Sequence, residues 1–578
     1  MRQKGKEDLD HSRIRVMREN TIPFLIVLLI AGIAVYFNSF FNGFIWDDQT
    51  IIVLNEYIRG WSNLPAIFTT DLHQFSLEQS NFYRPLQVLS YTLDHSFWKL
   101  KPMGYHITNV LWHILNAMLV YFLFNAAGKR SAGEKTETKW PAFLTALIWL
   151  VHPLHTQCAT YASGRADLLV TAFILSTLLS HMAGNVVWTA GFFVLALLSK
   201  EYALITPLLL LMVDSFLYIQ RAQWTLGRML KRYGALLIVL AVYIILRLTV
   251  LSFPSSSDDI IYPHLGFRIL TSAKAIGILI GFLAVPLKLS FLRNIDWVAP
   301  EADGAAYLCL AAVLGLIAFS FVIRKKNPLA AFGLFWFFLA YMPYMNIIPL
   351  NANVSEHWMY LSSIGLIFAL VSAVGTEIRS GRGRQVAVYL AALLVVFYGA
   401  RLVRRNFDFR DEIVFYEKEI KENPDNARVH YNLGTAYVKQ GNYEKGIPLL
   451  ERTVALDPKY AGAYGNLGQT YYELGQLDKA IEYYEKADAL SDALVENPVN
   501  LARAYAQTGQ YDKAVPLLEK ALKLRPNHVG ALNDLGVEYG RRGEYDRAEE
   551  LFRRVLQIEP NNIAAQRNLA LIEELRQR

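Results

Sequence analysis

Two adjacent carboxylates, Asp47 and Asp48, close the run Phe44-Ile45-Trp46-Asp47-Asp48 just after the first long apolar stretch of the chain. Carboxylates at a membrane surface are costly unless paired or used. One held in hydrogen-bond reach of a hydroxyl can act as a general base; the plain alternative is a helix start stabilised by acidic residues. Further polar clusters follow: Tyr83-Arg84-Pro85-Leu86, Tyr105-His106, His152-Pro153-Leu154-His155, Ser163-Gly164-Arg165-Ala166-Asp167, Ser199-Lys200-Glu201 and Glu356-His357-Trp358-Met359-Tyr360-Leu361. Arg84, Arg165, Lys200 and His357 could hold an anion, although a basic side chain at the end of a span can also reach out to lipid headgroups. His152 and His155 stand three apart, a spacing open to metal. Pro153 between them and the lack of a nearby third ligand favour packing or hydrogen bonding.

What positions these groups is a set of apolar segments. Hydrophobic residues make up 53% of the 578 and charged residues only 19%, below the roughly 25% usual in soluble proteins. Runs long enough to approach a span occur near 22–38, 107–125, 141–157, 167–182, 185–199, 201–219, 233–251, 271–289, 305–323, 329–348, 358–374 and 385–402. The tail with Arg2, Lys4, Lys6, Arg13, Arg15 and Arg18 places the N-terminus in the cytoplasm. A crossing at 271–289 would put Arg324-Lys325-Lys326 outside, whereas an interfacial helix there returns them to the cytoplasm. The expectation is therefore eleven spans plus one outer-face helix, with every polar cluster above at the outer ends of spans. The net charge of +7 resides largely in short loops, so nucleic acid is not an expected partner. Cys158 and Cys309 are too few for a disulfide framework.

After residue 420 the pattern repeats every 34 residues. Leu433-Gly434, Leu467-Gly468, Leu501-Ala502, Leu535-Gly536 and Leu569-Ala570 mark the period, as do Gly441, Gly475, Gly509 and Gly543. Small residues at Gly446, Ala480, Ala514 and Ala548 allow two helices to approach, and prolines 424, 458, 526 and 560 follow the second helix. This resembles the tetratricopeptide repeat. Asn432, Asn466, Asn500, Asp534 and Asn568 form a polar column at the same period. A primary amide can donate to one peptide carbonyl and accept from one peptide N–H, so the column could grip an acceptor chain, or could simply be ordinary repeat sequence.

The expected fold is all-α. A cytoplasmic basic tail (1–21) precedes a multi-span membrane domain (22–403) whose first outer loop covers 38–106. A half repeat or linker helix (404–426), four repeats (427–562) and a capping helix (563–578) follow. The aspartate pair, Tyr-Arg-Pro-Leu, Tyr-His-Ile-Thr-Asn, His-Pro-Leu-His, Gly-Arg-Ala-Asp and Ser-Lys-Glu resemble the transmembrane and tetratricopeptide-repeat-containing O-mannosyltransferase family, and the attached repeats match its architecture. That resemblance implies the C-type glycosyltransferase fold, a multi-pass membrane location and transfer of a sugar, mannose, from a polyprenyl- or dolichyl-phosphate donor to protein Ser or Thr on the non-cytoplasmic face. Asp47 or Asp48 would be the base. Arg84, Arg165, Lys200 and His357 would serve the donor phosphate, with His106, His152, His155, Glu201 and Glu356 around the substrate. Inversion at the sugar carbon is expected, with no cofactor or metal, and with lipid, the lipid-phosphate sugar and a protein or peptide acceptor as partners. Family members often carry arginine where His357 stands, and their repeat arrays are usually longer. A sugar acceptor other than protein (a lipid or polysaccharide) and a non-catalytic scaffold that recruits partners through the repeats are compatible with the same residues, as are a bacterial inner membrane and an endoplasmic reticulum membrane.

Overall fold

The computed structural model describes residues 21–73, 81–132, 138–217, 225–253, 263–293, 295–298, 303–350, 352–377, 382–491 and 495–577. The basic tail before Thr21 lies outside them. Among the described residues the chain is all-α. It divides into two compact units at Lys418 and Glu419.

The first unit opens with α1 (Ile22–Tyr36), which has proline in its first turn and no charged residue. A proline there loses only an N–H that has no helical partner. α2 (Pro85–Trp98) and the start of α3 (Pro102–Ala132) fall within the expected first outer loop. There follow α4 (Lys139–Leu150), α5 (Arg165–Met182), α6 (Val186–Leu197), α7 (Thr206–Leu217), α8 (Leu226–Leu248), α9 (Leu265–Ala284), α10 (Gly304–Ile323), α11 (Pro328–Tyr341), α12 (Met359–Glu377) and α13 (Arg382–Asn406). Eight helices among the described residues are long and apolar enough to cross a membrane, and the protein is a multi-pass membrane protein.

Side-chain contacts sort the helix ends. At one end of the bundle Phe24 packs on Trp140 and Phe143, with ring centroids 5.2 and 4.8 Å apart, and Arg324 Nη2 donates to Ser215 O at 3.2 Å. At the other, Asn406 Nδ2 donates to Val35 O at 2.9 Å and Asn38 Oδ1 at 2.8 Å. The last turns of α1 and α13 therefore meet beside the Asp47 turn. Arg247 Nη2, near the end of α8, reaches Asn81 O at 2.7 Å on that same side.

α9 is apolar and 20 residues long, enough to cross, yet both of its ends touch segments at the Asp47 end. Near its start Arg268 Nη1 donates to Asn346 O at 3.0 Å and Ser272 Oγ to Met345 O at 2.8 Å. Near its finish Leu283 O accepts from His152 Nε2 at 2.9 Å and from Tyr398 Oη at 3.0 Å. The helix lies along that end, and stops five residues before the expected 289 because Pro286 disfavours helical backbone at Val285.

The charge density changes near Arg404, but the first unit continues past it. Gly43 N donates to Arg410 O at 2.8 Å, and the Trp46 ring packs on Tyr416 at 5.8 Å. The unit boundary falls inside α14 (Glu412–Glu422), so the stretch expected as a half repeat is shared between the two units.

The second unit is four helix pairs: α15 (Ala427–Lys439) with α16 (Tyr443–Leu456), α17 (Ala461–Glu473) with α18 (Leu477–Leu490), α19 (Glu496–Gln507) with α20 (Tyr511–Leu524), and α21 (Val529–Arg541) with α22 (Tyr545–Ile558). α23 (Ile563–Gln577) follows. Gly441 and its three repeats turn the chain between paired helices at φ of 71° to 79°, a left-handed conformation that glycine adopts without penalty. A Cβ on Gly434 would stand 3.1 Å from Gly446 O, which is why small residues recur there. Each neighbouring pair buries what one pair alone would expose, and Leu467, Tyr484, Leu518 and Leu535 belong to one continuous core.

Candidate active site

The Asp47 turn is held in an unusual conformation. Trp46 has φ of 50°, a region bulky residues rarely enter and one that tends to mark functional sites. Its ring is wedged between Phe291 at 6.2 Å and Tyr416 at 5.8 Å. Asp47 N donates to Tyr161 Oη at 3.0 Å, and Asp47 O accepts from Ile51 N at 2.8 Å. Burial, then the charges of Asp47 and Asp48, push the Tyr161 phenol well above its ordinary pKa, so it stays protonated.

The two carboxylates differ sharply. Asp48 is fully buried: Oδ1 accepts from Ser163 N at 2.8 Å and Ser163 Oγ at 2.5 Å, and Oδ2 from Ile45 N at 3.0 Å. Burial pushes its carboxyl up to about 7 against the opposing pull of the Ser163 and Ile45 hydrogen bonds. Asp48 thus fastens the 45–48 turn to 161–163, and it does not cap the turn Gln49–Val53 that follows. Asp47 is only half-buried.

A line of contacts leads from this turn to the basic residues. Ser163 O accepts from Gln87 Nε2 at 3.0 Å, and Gln87 lies one turn from Arg84. Arg84 Nε and Nη2 bind Glu201 Oε2 at 3.1 and 3.0 Å, the guanidinium standing over the Phe82 ring at 4.5 Å. Burial opposes the Arg84 charge, and Glu201 more than offsets it. Lys200 Nζ lies 2.8 and 2.9 Å from the two Asp167 oxygens. His357 bonds Ser355 Oγ through Nδ1 at 2.6 Å and lies within electrostatic reach of Lys200, Asp167 and Arg84. Arg84, Lys200, Glu201 and His357 are therefore brought together.

Other expected site residues have structural work. Arg165 is fully buried and binds Asp94 Oδ2 at 2.7 Å, Tyr105 O at 3.0 Å, Ser90 Oγ at 3.2 Å and Asn109 Oδ1. Enclosed on all sides, it is a junction between α2, α3 and α5 rather than a phosphate contact. Glu356 accepts from Ser290 N at 2.6 Å and pairs with Arg405 Nη2 at 2.7 Å, both side chains buried. His155 bonds Trp149 O at 2.8 Å and Ser363 Oγ at 3.1 Å, and His152 holds Leu283 O and Leu154 N. Both histidines are buried, as is His106. Among the described residues no group of three or more His, Cys, Asp or Glu side chains is set to hold a metal.

In the repeats, three members of the polar column bridge neighbouring pairs. Asn466 Nδ2 donates to Thr435 Oγ1 at 2.8 Å, Arg503 Nε to Asp534 Oδ2 at 2.7 Å, and Asn568 Nδ2 to Asn533 Oδ1 at 3.1 Å. Asn432 and Asn500 are half-exposed. Tyr161 and Asp94 were invisible to sequence spacing, since neither belongs to a motif and each works through a partner far along the chain. The Asp48 contact, Ser163, opens the cluster Ser163-Gly164-Arg165-Ala166-Asp167.

Fold and site together define a class: a multi-pass helical membrane protein with a polar site at one end of its bundle and a tetratricopeptide-repeat solenoid. Two tetratricopeptide-repeat families match residues 431–493 and 491–561. Over 441 residues the chain is 25% identical to a protein O-mannosyl-transferase of Caenorhabditis elegans, covering 73% of this chain and 61% of that one. Protein O-mannosyl-transferase TMTC3 of Mus musculus is 26% identical over 475 residues (73% and 50% covered), and TMTC4 of Homo sapiens 24% over 509 residues (76% and 67%). The chain is homologous to protein O-mannosyl-transferases of the transmembrane and tetratricopeptide-repeat-containing family. It spans about half to two-thirds of the length of these relatives.

Proposed function

We propose that this chain is a membrane glycosyltransferase that moves a sugar, mannose by homology, from a polyprenyl or dolichyl phosphate to Ser or Thr hydroxyls of proteins. The observation that carries the assignment of roles is the division of labour in the aspartate pair. Asp48 is buried and accepts from three donors that fix it in place, whereas Asp47 beside it is half-buried at the surface of the turn, and the role of base is assigned to Asp47. Asp47 takes the acceptor hydroxyl proton as that oxygen attacks the sugar carbon from the face opposite the leaving group. The bond from sugar carbon to phosphate oxygen breaks, the lipid phosphate keeps the electron pair, and the sugar carbon is inverted. Arg84 and Lys200 are held rigid by Glu201 and Asp167, and fixed cations stabilise a developing phosphate charge without reorganising. Glu201 occupies the Nε and Nη2 edge of Arg84, which leaves Nη1 for a phosphate oxygen. A donor with a single phosphate calls for no metal.

The N-terminus lies in the cytoplasm, as its basic residues imply, and the Asp47 end faces away from it, in a bacterial inner membrane or the endoplasmic reticulum. The last turn of α13 is at that same end, so the segment that leads to the repeats emerges on the side of the reaction. The repeats bind the acceptor protein and raise its local concentration at the site. Transfer from polyprenyl-phosphate mannose to Ser- and Thr-containing peptides tests the assignment. Asp47→Asn keeps the shape and removes the base, so the rate should fall roughly 10²- to 10⁴-fold with insertion and folding intact. Near-normal turnover in that variant would sink it.

A further inference from the structure

One carboxylate in the repeats is buried with an oxygen that has no hydrogen-bond partner. Glu538, on α21, is 4% exposed, and its Oε2 has no hydrogen-bond partner. In the 34-residue register its place is taken by Ala436, Thr470 and Ala504 in the earlier repeats, all buried. Packing at this position therefore asks for a small side chain. A buried carboxylate oxygen left unmatched is costly, and natural interiors keep few of them without a use.

The unmatched group lines a pocket of about 490 Å³ between the third and fourth repeats. Arg541 Nε is 3.9 Å from Glu538 Oε1, beyond hydrogen-bond distance, and its guanidinium rests 4.8 Å over the Tyr511 ring. Arg542 is engaged with Asp512 at 2.9 Å, and Lys513 completes the charged lining. An anion entering here meets a buried carboxylate. A cation meets three basic side chains against two acidic ones. A neutral ligand rich in hydroxyls avoids both conflicts, because each hydroxyl can donate to a carboxylate and accept from a guanidinium.

We propose that this pocket binds a neutral sugar ring, one hydroxyl donating to the Glu538 carboxylate and a neighbouring oxygen accepting from Arg541. On a repeat domain such a site recognises glycosylated protein. The inference stands apart from the transfer reaction, since binding is measured without donor lipid and Glu538 is remote in sequence from every residue assigned to the chemistry.

The test is a ligand-observed NMR titration of the full chain in detergent with methyl α-D-mannopyranoside, with lysine methyl ester and inorganic phosphate as charged probes. Saturable binding of the glycoside is expected, roughly tenfold weaker or absent in Glu538→Ala and weakened also in Arg541→Ala. Glu538→Ala should match or exceed the parent in thermal stability, because it restores the residue type of Ala436 and Ala504, so lost binding cannot be blamed on misfolding. Transfer to short unmodified peptides should be unchanged in it. The proposal is overturned if the parent shows no saturable glycoside binding, if Glu538→Ala binds the glycoside as the parent does, or if a charged probe is the ligand whose binding depends on Glu538.

Discussion

Replacing Asp94 by asparagine separates a structural role for Arg165 from a catalytic one. The Arg165 side chain is 0% exposed and that of Asp94 6%, with Nη2 and Oδ2 2.7 Å apart. Asp94→Asn keeps the shape but withdraws the only carboxylate bonded to the guanidinium among the described contacts, leaving a buried cation facing Asn109, Ser90 and Tyr105 O. Breaking a buried pair from one side costs about 3–5 kcal/mol, and the three remaining neutral acceptors place this case toward the lower figure. At roughly 2 °C per kcal/mol for a large unit, the apparent melting temperature should drop by roughly 6 °C. Detergent-solubilised protein followed by intrinsic fluorescence at a fixed heating rate gives the shift, and donor titration in the transfer assay gives KM. An enclosed junction predicts a large stability loss, with KM for the donor little changed in whatever fraction stays folded. An unchanged melting temperature together with a raised donor KM would return Arg165 to the phosphate site and refute the reasoning. A variant with both charges removed, Asp94→Leu with Arg165→Met, should recover part of the loss, as buried pairs replaced by apolar residues often do.

Two further outcomes follow from the site and the bundle. Asp48 has its carboxyl at about 7 in the folded chain against an ordinary 3.8; between those values the folded state holds a proton the unfolded chain has lost, so stability falls as pH rises through that window. Melting temperatures at about pH 5 and about pH 8 should show that decline in the parent and a smaller one in Asp48→Asn; equal slopes would remove Asp48 as its source. For orientation, with the protein in a bacterial inner membrane, a membrane-impermeant thiol reagent should label Lys459→Cys and Asn527→Cys in intact cells and spare Lys325→Cys. The reverse pattern would place the repeats in the cytoplasm.

The repeat register was open to reading because each of its determinants is local. A left-handed turn needs Gly441, Gly475, Gly509 and Gly543 every 34 residues, and close helix approach needs Gly434 and Gly446, so the geometry is written in residue types. For α9 the expectation of an outer-face helix rests only on the loop charges on either side, since its own composition suits a crossing. Site residues divided by the same rule. The Asp47–Asp48 pair and the clusters around Arg84 and Lys200 announce themselves by concentrating polar groups at helix ends. Which of them are consumed by partners is decided by contacts across the fold: Asp94 lies 71 residues from Arg165, and Ser163 lies 115 from Asp48. Nothing in the immediate neighbourhood of Arg165 or Asp48 records those distances.

The same contacts explain cations that fit badly with a loop-charge reading of orientation. Arg401 and Arg405 lie at the Asp47 end, where basic residues are not expected if that end faces away from the cytoplasm. Both have internal work: Arg401 Nη2 donates to Leu287 O at 2.9 Å, and Arg405 is buried against Glu356. Arg405 thereby joins α13 to the Ser290 turn and to the start of α12, and Phe291 in that turn touches Trp46. A buried pair adds little net stability but fixes which segments can meet. Here it sets the wall against which the strained Trp46 backbone is held, and Trp46 directly precedes Asp47. A positive charge that looks anomalous when counted toward topology is thus part of the support beneath the Asp47 turn. A charge count must therefore discount arginines buried on a carboxylate before it assigns sides.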